Sequence, residues 1–203
     1  MNDFIQTILL TLMDYGYLGI TLGLMIEIIP SEIVLSYGGF LVSQGSISFV
    51  GAVIAGTIGG TIAQIFVYLI GYYGGRPFLE RYGKYIFIHK KHIELAESWF
   101  TNYGPSVIFT ARFIPVVRHA ISIPAGISKM SLMKFTNYTI LAVFPWSILF
   151  VFLGMKLGSN WGQINEMAKP YIQPIAVVAV LIIAGMIIRG IMKKRKAKVD
   201  EDY

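Results

Sequence analysis

The chain has 203 residues, of which 55% are hydrophobic and 14% charged, where a soluble domain carries about 25% charged residues. Its mean hydropathy is +0.65 and its uncharged runs exceed the roughly 18–20 residues needed to cross a bilayer, which excludes a water-soluble domain and implies an integral membrane protein. The net charge of +6 gathers in two basic segments, which speaks for membrane orientation over nucleic acid, and the absence of cysteine excludes disulfides, thiolate catalysis and thiolate metal sites.

The pattern predicts one all-α polytopic membrane domain over 1–190 and a charged tail over 191–203. Residues 1–14 carry apolar side chains at helical spacing and are too short to span, so they read as a helix at the interface or packed on the domain. No Lys or Arg precedes Arg76, so the positive n-region of a cleavable signal peptide is missing. Two apolar stretches follow, Tyr17 to Ile29 and Ile33 to Val42, separated by Ile29-Pro30-Ser31-Glu32 and carrying Glu27 just before the break. Neither stretch spans alone. A re-entrant hairpin, its broken backbone buried in protein or beside water, fits better than one helix with an internal proline and two carboxylates.

Ile47 to Tyr73 carries no formal charge and is long enough to span, with Gly56-x-x-x-Gly60 on a small-residue face that serves intramolecular packing first and a homodimer second. A polar loop over 76–102 holds Arg76, Arg81, Lys84, Lys90 and Lys91. The run from Pro105 to Ile127 is apolar except for Arg112 and Arg118, which flank Pro115. One arginine near the bilayer centre costs about 2.5–3.5 kcal/mol on insertion scales, so such residues face protein or water and mark a functional site. This stretch predicts a second hairpin, broken at Pro115. Leu132 to Leu157 is a second long span, residues 171–188 a third, and the tail opens Lys193-Lys194-Arg195-Lys196.

Placing both basic segments in the cytoplasm gives a topology that closes only if neither hairpin crosses fully. The first hairpin then opens on the outer face, the second on the cytoplasmic face, and the C-terminus is cytoplasmic. The halves also align. Tyr15-Gly16 matches Tyr103-Gly104, Glu27-x-x-Pro30 matches Arg112-x-x-Pro115, and Gly71-x-x-x-Gly75 matches Gly154-x-x-x-Gly158. The prediction is an inverted repeat, about 15–75 and 103–158, with two facing hairpins and about three full spans, the architecture in which transporters place a binding site at the midplane.

Arg112 and Arg118 suit a phosphate, which guanidinium groups bind in bidentate fashion. Glu27 and Glu32 serve as counter-ions or proton carriers, because burial favours the protonated carboxyl. The alternative is a Glu–Arg network that only locks the hairpins together. His119 adjoins Arg118, while His89 and His92 lack a third ligand at metal-site spacing, and no cofactor motif is found.

The segments Glu27 with Pro30-Ser31-Glu32, Phe109-x-x-Arg112-Phe113-x-Pro115-x-x-Arg118, and Pro124-Ala125-Gly126 followed by Met130 and Phe135 resemble the DedA family of membrane proteins, also described as SNARE-associated or VTT-domain proteins. The resemblance covers roughly residues 15–160. It implies re-entrant facing hairpins, movement of phospholipids or polyprenyl phosphates, proton dependence in some members, and functional roles for Glu27, Glu32, Arg112 and Arg118. Pro30-Ser31-Glu32 departs from the Pro-Gly-Asp of many members and is similar to the branch that recycles undecaprenyl phosphate. The expected function is therefore a proton-coupled undecaprenyl-phosphate translocase of the cell membrane, not an enzyme. Its alternatives are a general phospholipid flippase or scramblase acting on lipids such as phosphatidylethanolamine, a proton-coupled ion antiporter, and a lipid phosphatase.

Overall fold

A computed structural model of the protein describes residues 11–12, 14–26, 29–82, 106–114, 117–164, 168–170, 172–175, 177–182, 184–185 and 188. The predicted helix over 1–14, Glu27, Pro115, the loop beyond Tyr82 and the charged tail lie wholly or largely outside this set. In chain order the helices are α1 (Tyr17–Ile26), α2 (Ser31–Ser43), α3 (Phe49–Tyr82), α4 (Ser106–Ala111), α5 (Val117–Ala120), α6 (Ser122–Ile127) and α7 (Leu132–Leu157). A 3-10 stretch, Gly158–Gln163, and a shorter apolar helix α8 (Ala168–Ile182) follow. No strand occurs among the described residues.

Among the described residues two segments are long and apolar enough to cross a membrane, Phe49–Gly74 within α3 and Leu132–Asn160, which is α7 with the start of the 3-10 stretch. Their exposed faces carry large apolar side chains: Val50, Ile54, Ile58, Phe66 and Ile70 on α3, and Leu141, Phe144, Ile148 and Phe152 on α7. The buried face of α3 is mostly small or polar, with Ala52, Ala55, Thr57, Thr61, Ala63 and Gln64 beside the larger Val53 and Tyr68. Bulk outside and small residues inside is the arrangement of a helix solvated by lipid, where close backbone approach replaces hydrophobic burial. Helix α3 also runs past Tyr73, where the apolar sequence stops, to Tyr82. Its hydrogen-bond ladder does not depend on what surrounds it, so a polar sequence alone does not end the helix.

The chain divides into two compact units, Met1–Phe66 with Thr139–Ile172, and Val67–Tyr138 with Gln173–Tyr203. In the first, α1 and α2 fold back on each other. Ile20 Cδ1 lies 2.9 Å from where a Cβ on Gly38 would stand, whereas an unbroken helix would hold the two residues about 27 Å apart at ~1.5 Å per residue. Within the same unit Gly56 faces Ser147 and Gly60 faces Val143. Four residues forward on α3 thus match four residues back on α7, and the two helices run antiparallel. The Gly56–Gly60 spacing is used here for packing inside the chain.

The deepest packing in this unit is backbone on backbone. A Cβ on Gly39 would overlap the Val151 carbonyl and the Met155 amide of α7, and a Cβ on Gly154 would overlap the Ser36 carbonyl of α2. The second unit repeats this device. A Cβ on Gly126 of α6 would overlap the Tyr68 carbonyl and the Tyr72 amide of α3, and one on Gly71 would overlap the Ile123 carbonyl. Ser36 and Gly39 stand three residues apart, as do Ile123 and Gly126. Each hairpin packs on the long helix that belongs, in sequence, to the other half of the chain.

Both hairpins also end alike. After α2 the Gly45 and Ser46 amides donate to the Val42 and Leu41 carbonyls, with Gly45 at φ 73. After α6 the Lys129 and Met130 amides donate to the Gly126 and Ala125 carbonyls, with Lys129 at φ 50. Each is a Schellman closure, which needs a left-handed residue just past the helix.

Candidate functional site

The first break is built by Pro30, which at φ −51 and ψ 132 caps α2 from outside the helix. Its carbonyl accepts from both the Ile33 and Val34 amides, at 2.9 and 3.3 Å. Glu32 therefore falls in the first turn of a 13-residue helix, where unsatisfied amides favour a negative charge. It is half-buried. The Ser31 hydroxyl donates to its Oε2 at 3.2 Å, and the fully buried Ser36 hydroxyl donates to its backbone carbonyl.

The second break is more fragmented. Helix α4 ends at Ala111, and the Phe113 and Ile114 amides donate three residues back, to Thr110 and Ala111. The chain restarts on the Ile114 carbonyl, which accepts from the Val117 amide at 3.0 Å and the Arg118 amide at 2.9 Å. Val107 and Ala111 of α4 pack against Ile121, with Val117 beside them, so this segment also folds back. A second hairpin broken only at Pro115, as the sequence predicts, would resume as one half-helix. In its place stand α5, four residues long, and α6, six residues long. Helices this short carry little macrodipole, so positive charge here comes from side chains.

Arg112 sits in that turn and is 6% exposed. Its Nη1 donates to the Arg118 carbonyl at 3.2 Å and its Nη2 to the Ser122 hydroxyl at 3.2 Å. The guanidinium carbon lies 5.4 Å from the centre of the Phe135 ring, a cation–π distance. Phe135, itself fully buried, stacks at 4.6 Å on Tyr68, whose hydroxyl donates to the Met130 carbonyl. Arg112 is thus held by protein groups on several sides, while Arg118 is only half-buried.

The structure brings Arg112 and Arg118 together on one turn through a side chain–backbone bond. Glu32 belongs to the other compact unit, and Glu27 and Pro115 lie outside the described residues. Ser122 and Phe135, which hold Arg112, and Ser36, which supports Glu32, escape sequence reasoning. Ser122 and Phe135 are too far along the chain from Arg112 for local periodicity to join them, so only the tertiary fold does. Phe135 enters the sequence reading only as part of the family resemblance.

The VTT domain matches residues 29–156. The chain belongs to the VTT-domain, or DedA, family of membrane proteins. It is 59% identical over 197 residues to the "Undecaprenyl phosphate transporter A" of Bacillus subtilis, covering 97% of this chain and 98% of that protein. It is 30% identical to the protein of the same name from Staphylococcus aureus, covering 91% of this chain and 95% of the relative. An "Alkaline phosphatase-like protein" of Lactococcus lactis is 35% identical, covering 98% of this chain and 97% of that one. No solved structure matches the chain.

Proposed function

We propose that this VTT-domain protein is a lipid-phosphate translocase that returns undecaprenyl phosphate from the outer to the cytoplasmic leaflet, coupled to protons, for reuse as a carrier in envelope synthesis. The observation that carries the reading is the hydrogen bond from buried Arg112 to the Arg118 carbonyl. It ties the backbone at Arg118 to the Arg112 side chain, so that one turn at a helix break carries two arginines, the residue type that binds a phosphomonoester. Arg112 orients the turn and adds charge, and Arg118 is the group a lipid phosphate reaches first. The two relatives named undecaprenyl phosphate transporter A support the choice of lipid.

In this reading the two fold-back segments are re-entrant hairpins of an inverted repeat, opening on opposite faces, with the basic C-terminus cytoplasmic. Support comes from the equal spacing of the two sets of glycine contacts and from each hairpin packing on the other half's long helix. Glu27 and Glu32 are the carboxylates that exchange protons or replace the phosphate when the site is empty.

The test is translocation of undecaprenyl phosphate in proteoliposomes, with competing lipid head groups added. Arg118→Ala abolishes it in a folded protein, and collapsing the proton gradient slows the parent. Unchanged transport by Arg118→Ala, or equal competition by phosphatidylethanolamine, overturns the reading. The phosphatase suggested by the Lactococcus name predicts release of inorganic phosphate that depends on His119; the translocase predicts none.

A further inference from the structure

Beside the arginine turn lies an apolar groove of about 370 Å³. One wall is Phe109 and Phe113, whose rings meet edge to face at 5.1 Å, and the opposite wall is Pro174, Ile175, Val178 and Ala179 of α8. All of it belongs to the second compact unit, with Arg112 and Arg118. Phe113 follows Arg112 directly, so the groove begins within about 3.8 Å of chain from the buried arginine, measured between Cα atoms.

We propose that this groove holds the phosphate-proximal isoprene units of the polyprenyl chain while Arg118 holds the phosphate. The inference rests on the function proposed above and names the second half of the same site. An amphiphile must find its two chemistries near one another, and Phe113 of the groove wall adjoins Arg112 in the chain, on the turn that Arg112 bonds to Arg118. A prenyl phosphate fits that junction, because its single chain is esterified directly to the phosphate and begins where the head group ends. A diacyl phospholipid interposes glycerol and presents two chains. The volume lies at the low end of the roughly 300–1,000 Å³ of small-molecule sites, so the groove grips a segment of the chain and leaves the remainder in the bilayer. Chain selectivity then resides at Phe109, Phe113 and Ala179, and charge selectivity at the arginines.

The experiment uses the full-length protein in liposomes and a polyprenyl phosphate bearing a diazirine on its first isoprene unit. The expected label falls on Phe109, Phe113 or Val178, and phosphatidic acid with a diazirine near its head does not reproduce it. Val178→Trp, at an exposed position that the fold tolerates, lowers translocation about tenfold or more, the scale on which an apolar site discriminates by shape. Melting temperature in detergent confirms that the variant is folded. Label outside the groove, equal labelling by phosphatidic acid, or full transport by Val178→Trp overturns the groove assignment even if Arg118→Ala abolishes transport. Normal transport by Arg118→Ala overturns the underlying function instead.

Discussion

The two hairpins share a packing device and differ in what they display. Each presses a glycine into the backbone of a long helix and receives a glycine in return, Gly39 with Gly154 and Gly126 with Gly71. On that common frame the first hairpin has a clean break and a 13-residue helix led by Glu32, while the second is cut into three short helices around Arg112. A carboxylate can be stabilised by amides that a helix start already exposes. A guanidinium has only donors, so it needs acceptors, and the extra turns supply them as the Arg118 carbonyl and the Ser122 hydroxyl. The opposite charges thus explain why the two hairpins do not share one backbone.

Substituting the glycines attacks what the hairpins share. Gly39→Leu and Gly126→Leu each place a side chain where a backbone carbonyl already stands, so both should cost at least the roughly 1–3 kcal/mol of an overpacked core. Folded yield and melting temperature in detergent measure this. A large loss in one with none in the other would break the equivalence of the two hairpins.

The arginine variants sharpen the difference. Arg112→Ala removes the donor of two hydrogen bonds and should cost about 1–3 kcal/mol for the acceptors left buried, along with transport. Arg118→Ala should lose transport with a melting temperature near the parent's. Arg112→Lys should not rescue, because one ammonium lacks the planar fork that reaches two acceptors at once. On the proposed function, Glu32→Gln should keep the fold and lose the dependence of transport on the proton gradient; retention of that dependence would overturn the role proposed for Glu32.

The smallest effect separates the two closures. Lys129 holds a left-handed conformation that costs a non-glycine residue about 1–2 kcal/mol, while Gly45 adopts its own freely. Lys129→Gly should therefore stabilise by up to about 1 kcal/mol, and Gly45→Lys should destabilise by a similar amount. Paired denaturation curves check the signs.

The helical class, the break at Pro30 and the long helices from Phe49 and Leu132 were legible in the sequence, because apolar run length and proline position report local geometry directly. The hold on Arg112 was not, since Ser122 and Phe135 reach it through tertiary folding. Nor was the shortness of α5 and α6, because a proline shows where a helix breaks but not how the chain resumes. Which helix each hairpin packs against was equally hidden. Small residues permit close approach to any partner, and only the fold selects one.

That exchange of partners has a consequence for biosynthesis. Gly39 needs the backbone of Val151 to Met155, more than a hundred residues downstream. At about 5–20 residues per second that stretch takes roughly 5–20 s to make. For that interval the acidic hairpin is synthesised and its partner helix is not. Through that interval the small-residue face of α2 at Ser36 and Gly39 lacks the helix it packs against. A stalled or truncated chain ending before α7 offers a quality-control protease an unpacked hairpin, even though every element translated so far is correct.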